Sequence, residues 1–293
     1  MPTVPLTGCC PCMEKNDMWE PLQFEFMRNA LIAGVLVSIS CGLIGSLVVV
    51  NRIVFISGGI AHAAYGGIGL AVFLGFSPTL GAGAFAITVS IIMAAVSFRN
   101  RERADTVIGV LWAVGMAIGI ILIDLSPGYG ADLMGYLFGS ILAVSQADLR
   151  AMFTMDVLIV MAVMVFYKEF LAVSYDEEFS FVAGIPVRPL YFGLLVMTAL
   201  CVIMVIRVVG LILVIALLAI PPYIAEKYTR SLGRMMILSS VFGIFFTLTG
   251  LWLSFYLNVT SGATIVLVAG VAFFAAQALE TLRKRHRARS PEQ

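Results

Sequence analysis

The near-absence of charge from a series of long apolar runs limits this chain more than any other feature. The runs lie at roughly 26–50, 53–76, 79–97, 107–125, 153–173, 190–206, 209–225, 235–256 and 262–281. A helix needs about 20 mostly apolar residues to cross a bilayer. In lipid the backbone must satisfy its own hydrogen bonds, which restricts spanning structures to helices and closed barrels. The runs predict an all-α polytopic membrane protein with about eight to nine transmembrane helices. The stretch 190–225 is too long for one helix and is interrupted near Arg207 and Gly210, so it reads as two spans, or as one span and a half-helix. Residues 131–146, "ADLMGYLFGSILAVSQ", are too short and too glycine-rich for a span, and a short or partly inserted helix on the outer side is expected there. Only 12% of the chain is charged, about half the share of a soluble domain. The net charge of +1 gives no reason to expect a nucleic-acid partner.

Three regions follow. Residues 1–25 carry Glu14, Lys15, Asp17, Glu20 and Glu25 without an apolar core, so no cleavable signal peptide is expected. They read as a disordered extension. Cys9, Cys10 and Cys12 crowd into it as "GCCPC", which either holds a soft metal or does nothing. Cys41 and Cys201 fall in apolar runs, and five cysteines without paired spacing are no disulfide framework. Residues 26–282 form the membrane domain, and 283–293 a basic tail containing "RKRHRAR". Arg52, the arginines of "FRNRERAD" (98–105), the cations of "EKYTRSLGR" (226–234) and the tail all fall on one side if nine spans alternate. Lysine and arginine collect on the cytoplasmic side. This places the C-terminus in the cytoplasm of a multi-pass protein of the cell (inner) membrane, with the tail near membrane lipid. Asp124 and Asp132 then bracket an external loop, and Arg207 reads as a snorkelling or anchoring group.

His62 stands out within "ISGGIAHAAYGGIGLA" (56–71). Counted from Arg52 along a helix it lies about 15 Å deep, near the middle of a hydrocarbon core about 30 Å thick. Gly58 and Gly66 lie one turn to either side on the same face, which suggests open space around the ring, with Tyr65 closing one side. The adjacent stripe Gly59–Ala63–Gly67–Ala71 is small at every fourth position, the pattern that lets membrane helices approach closely. An ionisable group at this depth marks a functional site, and imidazole is a common metal ligand. The alternative is a histidine bonded to a neighbouring carbonyl.

Five segments together resemble the permease subunits of zinc/manganese/iron-uptake ABC transporters. They are "GGIAHAAYGGIGLA" (58–71), "ADTVIGVLWAVGMAIGI" (104–120), "ADLMGYLFGSILAVSQADL" (131–149), "VVGLILVIALLAIPPYIAEKYTRSL" (208–232) and "LNVTSGATIVLVAG" (257–270). The resemblance implies a homodimer, two cytoplasmic ATPase subunits and an extracytoplasmic metal-binding protein. It also implies zinc or manganese, with iron third, as transported substrate, and no intrinsic cofactor. The chain has no GxxxxGK[ST] loop, so it is not expected to be an enzyme, and ATP would bind the partner subunit. His62 becomes a transient metal contact, with Gly58, Tyr65 and Gly66 lining the path. The loop "SYDEEFSFVAGIPVR" (174–188) becomes the ATPase-coupling element. Asp176, Glu177 and Glu178 suit a helix start, Phe179 shares a face with Val182, and Gly184 ends the turn.

The sequence departs from the family pattern at three places. Gly58 stands where the family has an acid, Ala113 where many zinc-type members have a second histidine, and Asn258 where an acid is common. His62 is left without those partners. Other groups, among them Tyr65, Cys41 or Cys201, would complete the site, or the ion is held only in passing, or the cargo is not a bare divalent cation. The functional alternative is a secondary, ion-coupled carrier in which His62 relays protons.

Overall fold

A computed structural model describes residues 23–99, 104–126, 139, 141–211 and 214–289. Cys9, Cys10, Cys12, Asp132 and most of 131–146 lie outside the described residues, as does the side chain of Arg207. Among the described residues eleven α-helices follow in order: α1 Glu25–Val50, α2 Val54–Leu74, α3 Pro78–Arg99, α4 Ala104–Asp124, α5 Gln146–Val165, α6 Tyr167–Tyr175, α7 Glu177–Val182, α8 Val187–Val209, α9 Val214–Tyr228, α10 Leu232–Leu257 and α11 Ser261–Arg289. Among the described residues seven helices are long and apolar enough to cross a membrane, and α5 with α6 makes an eighth span if that bent pair is one crossing.

Three elements give the apolar runs read in the sequence their detailed form, and the break near Gly210 falls where the sequence placed it. The run at 153–173 is two helices that meet at Phe166 with a 65° bend. The run at 190–225 divides at Gly210, whose φ of 83° is a left-handed conformation open to glycine. The result is the full span α8 followed by the 15-residue α9, which contains Pro221 and Pro222. At the C-terminus α11 continues past residue 282 to Arg289.

Helices α1 and α2 form two packing centres. α2 packs against α3 and α4, and α1 against α10, α9 and α5, while α8 touches α1, α2 and α3 and joins the two groups. Small residues set these contacts. A Cβ added at Gly115 of α4 would lie 2.8 Å from the Cα of Ala63, and one at Gly59 of α2 would lie 2.6 Å from Ile108. The stripe Gly59–Ala63–Gly67 is thus a close-packing face. On the other centre, a Cβ at Gly34 would lie 2.6 Å from Thr247 of α10. Ser38 there bonds the carbonyl of Gly34 at 2.7 Å and meets the Thr247 hydroxyl at 3.2 Å.

The outer helices face the opposite way. Val110, Val114, Ile118 and Ile121 of α4 and Leu267, Val271 and Phe274 of α11 are exposed. A water-facing surface rarely carries apolar patches of that extent, whereas lipid accepts them. At one end of the bundle Lys227 of α9 pairs with Glu280 of α11 at 2.7 Å and donates to Gln277 at 2.8 Å. At the reversal between α1 and α2, the Asn51 amide donates to the carbonyl of Leu47 at 2.8 Å and to the Ser174 hydroxyl of α6 at 3.0 Å.

The close approach of α2 and α4 is testable. Gly115→Val should destabilise the solubilised protein by about 1–3 kcal/mol, the range for overpacking a filled interface, because the obstruction is backbone. Gly109→Ala, on the same helix with nothing within 4 Å of its Cβ position, should leave thermal stability in detergent unchanged.

Candidate functional site

His62 sits eight residues into α2, about 12 Å from its start. The ring is half-buried, and its Nδ1 is buried with no hydrogen-bond partner among the described residues. The imidazole stacks on the indole of Trp112 from α4, with ring centroids 4.1 Å apart and planes within 9° of parallel. Phe55, one turn from Gly58 along α2, lies 5.9 Å from the same indole.

The glycines beside His62 do not leave the open space that the sequence suggested. A Cβ at Gly58 would lie 2.6 Å from Cδ1 of Ile215 and 3.8 Å from Cζ3 of Trp112. A Cβ at Gly66 would lie 2.8 Å from the carbonyl oxygen of Gly115 and 3.1 Å from the Phe85 ring. Neighbouring helices occupy both volumes, with a backbone carbonyl beside Gly66 and the tip of the Ile215 side chain beside Gly58. Tyr65 does not cover the imidazole either. It is buried among the helices, and a Cβ at Gly119 of α4 would lie 2.8 Å from its Cδ1. The residue against the His62 ring is Trp112, which immediately precedes Ala113. An aromatic one turn from Gly115 in "LWAVGM" was the available signal, but sequence spacing cannot show which residue of a neighbouring helix faces a given ring.

Cys41 and Cys201 meet each other rather than His62. Their sulfurs are 3.9 Å apart, buried between α1 and α8. Among the described residues no group of three His, Cys, Asp or Glu side chains is placed to hold a metal ion. Asp124 ends α4, and Asn258 caps α10 in a left-handed conformation with φ of 52°.

One buried acid escaped the sequence reading. Asp156 of α5 is 5% exposed and accepts a hydrogen bond from the hydroxyl of Ser40 on α1. It is the one acid in the run from Ala151 to Val165. A carboxyl in such a run is expensive and finds a partner inside the bundle, and that cost was the signal for it.

The loop at 174–188 is built as a rigid turn. The Asp176 carboxylate accepts from the backbone N–H of Phe179 at 2.9 Å and so caps α7. Gly184, with φ of 82°, ends the helix, and the N–H of Ile185 returns to the carbonyl of Ser180 at 3.0 Å. Phe179, Phe181 and Val182 are left 67%, 74% and 84% exposed. Beside them runs a groove of about 560 Å³ whose walls include Glu177, Glu178, Phe181, Val182 and Phe98 of α3.

Comparison with known proteins gives a consistent result. A family model described as the ABC 3 transport family matches residues 23–280. A Synechocystis membrane protein described as uncharacterized is 51% identical over 256 residues, covering 87% of this chain and 91% of the relative. The manganese transport system membrane protein MntC of Listeria innocua is 34% identical over 255 residues, covering 87% and 91%. The structure of PsaBC from Streptococcus pneumoniae in complex with Fab superposes with a TM-score of 0.80 at 32% identity, covering 88% of this chain and 93% of that one.

The buried acid generates its own test. Asp156→Ala removes the acceptor of a buried hydroxyl and should cost about 1–3 kcal/mol, read as earlier thermal unfolding in detergent. Asp156→Asn keeps an acceptor oxygen for Ser40 and should recover most of that loss.

Proposed function

Because this chain belongs to the ABC 3 transport family, we propose that it forms the membrane path of an ATP-driven importer for a divalent transition metal. Manganese is the metal named for several relatives. Zinc is the second candidate, on the strength of the imidazole in the path, and iron the third. Two copies form the path, two cytoplasmic ATPase subunits drive it, and an extracytoplasmic metal-binding protein delivers the ion. The chain lies in the cell membrane with its C-terminus on the cytoplasmic side. The ion-coupled carrier finds no support in the family.

One observation carries the reading. A buried imidazole nitrogen, without a hydrogen-bond partner among the described residues, sits eight residues inside an apolar helix. Left there with no task, such an atom is a pure desolvation cost. As a passing contact for a cation it has one. Gly58, Tyr65 and Gly66 place this ring by letting α2 lie against α4 and α9. A single imidazole binds weakly, which suits conduction, since a site that holds an ion tightly releases it slowly.

Helix α7 transmits the work of the ATPase. Its apolar residues Phe179, Phe181 and Val182 face outward from a turn fixed by Asp176 and Gly184, with Glu177 and Glu178 at its start. An exposed aromatic cluster on a rigid turn fits an interface anchor.

Two experiments test this. In cells that lack other uptake systems and express the whole importer, His62→Ala should reduce metal uptake at least about tenfold with normal membrane insertion. Unchanged uptake would remove the imidazole from the path and leave the family standing. A photocrosslinker at Phe179 should capture the ATPase subunit, and Phe179→Ala should lower ATPase co-purification. Crosslinks to lipid alone would assign this loop another role.

A further inference from the structure

Cys41 and Cys201 have no part in the reading above. Both are free thiols buried in the core, and their sulfurs lie 3.9 Å apart across the seam between α1 and α8. A disulfide is about 2.05 Å long, so each sulfur has to move roughly 0.9 Å to form one. Side-chain rotation on the two helices can supply that movement. The place of the seam in the bundle gives such a bond a consequence. Helix α8 touches α2 and α3 as well as α1 and so joins the two packing centres. Only residues 183–186 separate it from α7. A bond from Cys201 to Cys41 would tie the helix that follows α7 to the other packing centre.

Burial slows the reactions of a thiol and selects the reagent that reaches it. A charged oxidant would lose its hydration on entering the bundle, and glutathione is both charged and bulky. Hydrogen peroxide is small and uncharged. We propose that Cys41 and Cys201 form a redox lock, in which peroxide joins them in a disulfide that clamps α8 to α1 and arrests transport. One thiol attacks the peroxide and the O–O bond breaks. That sulfur becomes a sulfenic acid, and the other oxygen leaves as water. The second sulfur then displaces the sulfenic hydroxyl, which takes up the remaining thiol proton and leaves as a second water. Two thiols are oxidised to one disulfide and one peroxide is reduced to two waters. The burial that keeps glutathione from forming the bond also keeps it from breaking the bond, whereas a small uncharged dithiol reverses it. The arrest rests on the reading of α7 as the ATPase contact, and the cross-link does not.

The test uses the complete importer in cells without other uptake systems. Cells are exposed to hydrogen peroxide, remaining thiols are alkylated, and unreduced peptides are read by mass spectrometry alongside initial rates of manganese uptake. A peptide joining Cys41 to Cys201 should appear, uptake should fall in proportion to the linked fraction, and dithiothreitol should reverse both. On membranes isolated from the same cells, peroxide should form the linked peptide and glutathione disulfide should not. Cys41→Ala and Cys201→Ala should transport at the rate of the unsubstituted chain and keep that rate under peroxide, which separates the lock from oxidation of Cys9, Cys10, Cys12 or the ATPase. Where an alanine variant does not co-purify with the ATPase, serine at the same position replaces it. Absence of the linked peptide overturns the proposal. So does an equal loss of uptake under peroxide in the single-cysteine variants, and so does equal linkage by glutathione disulfide. If the linked importer still transports while the photocrosslinker at Phe179 captures the ATPase, the lock falls and the coupling role of α7 stands. If that photocrosslinker captures no ATPase, the reading beneath the arrest fails, whatever the cysteines do.

Discussion

Helix α2 meets α3 and α4 at glycines where the neighbouring backbone, methyl groups and the rings of Phe85 and Tyr65 leave no room for a further side chain. In lipid there is little hydrophobic gain in bringing two apolar helices together, so dispersion contact and fit must hold them. Small residues give the closest approach and hence the most contact. The approach fixes α4 against α2 at Gly115 and Gly119, and so decides which α4 side chain lands on His62. The site is a consequence of this packing, since the imidazole is held where glycine and alanine let the next helix come within reach.

The same principle operates around α1, with polar refinements. Serine and threonine hydroxyls bond carbonyls of their own helices, as Ser38 does to Gly34 and Ser46 to Gly42. Each hydroxyl thereby satisfies itself without disturbing the packing. Asp156 is the costlier case, since a carboxyl needs a donor from another helix and takes it from Ser40. Polar groups in this core are few, and most are answered locally. Among the described residues the His62 Nδ1 is one of the few that are not.

Most of the fold was legible in the sequence because the bilayer sets a length and forbids charge. The break at Gly210 was visible as a glycine in an overlong run, and the loop 174–188 as an acidic start with a glycine stop. The bend at Phe166 was not, since no proline or glycine marks it and the apolar run continues through it. The environment of His62 was legible only in part. Spacing along α2 identified Gly58 and Gly66 as neighbours of the ring. It could not say whether their missing side chains left a void or admitted Ile215, Phe85 and the backbone of α4. The meeting of Cys41 with Cys201 was hidden for the same reason, because contacts between helices distant in sequence leave no periodic trace in either one.

The amide of Asn51 links the turn between α1 and α2 to the Ser174 hydroxyl near the end of α6. From Tyr175, the last residue of α6, Asp176 alone leads to the first residue of α7. A displacement of that exposed turn thus has a short mechanical route to the root of the helix carrying the imidazole, one residue of chain and one side-chain latch long. Under the coupling role proposed for α7, the geometry is that of a crank and a shaft: a load on its aromatic surface would turn at Asn51 and run along α2.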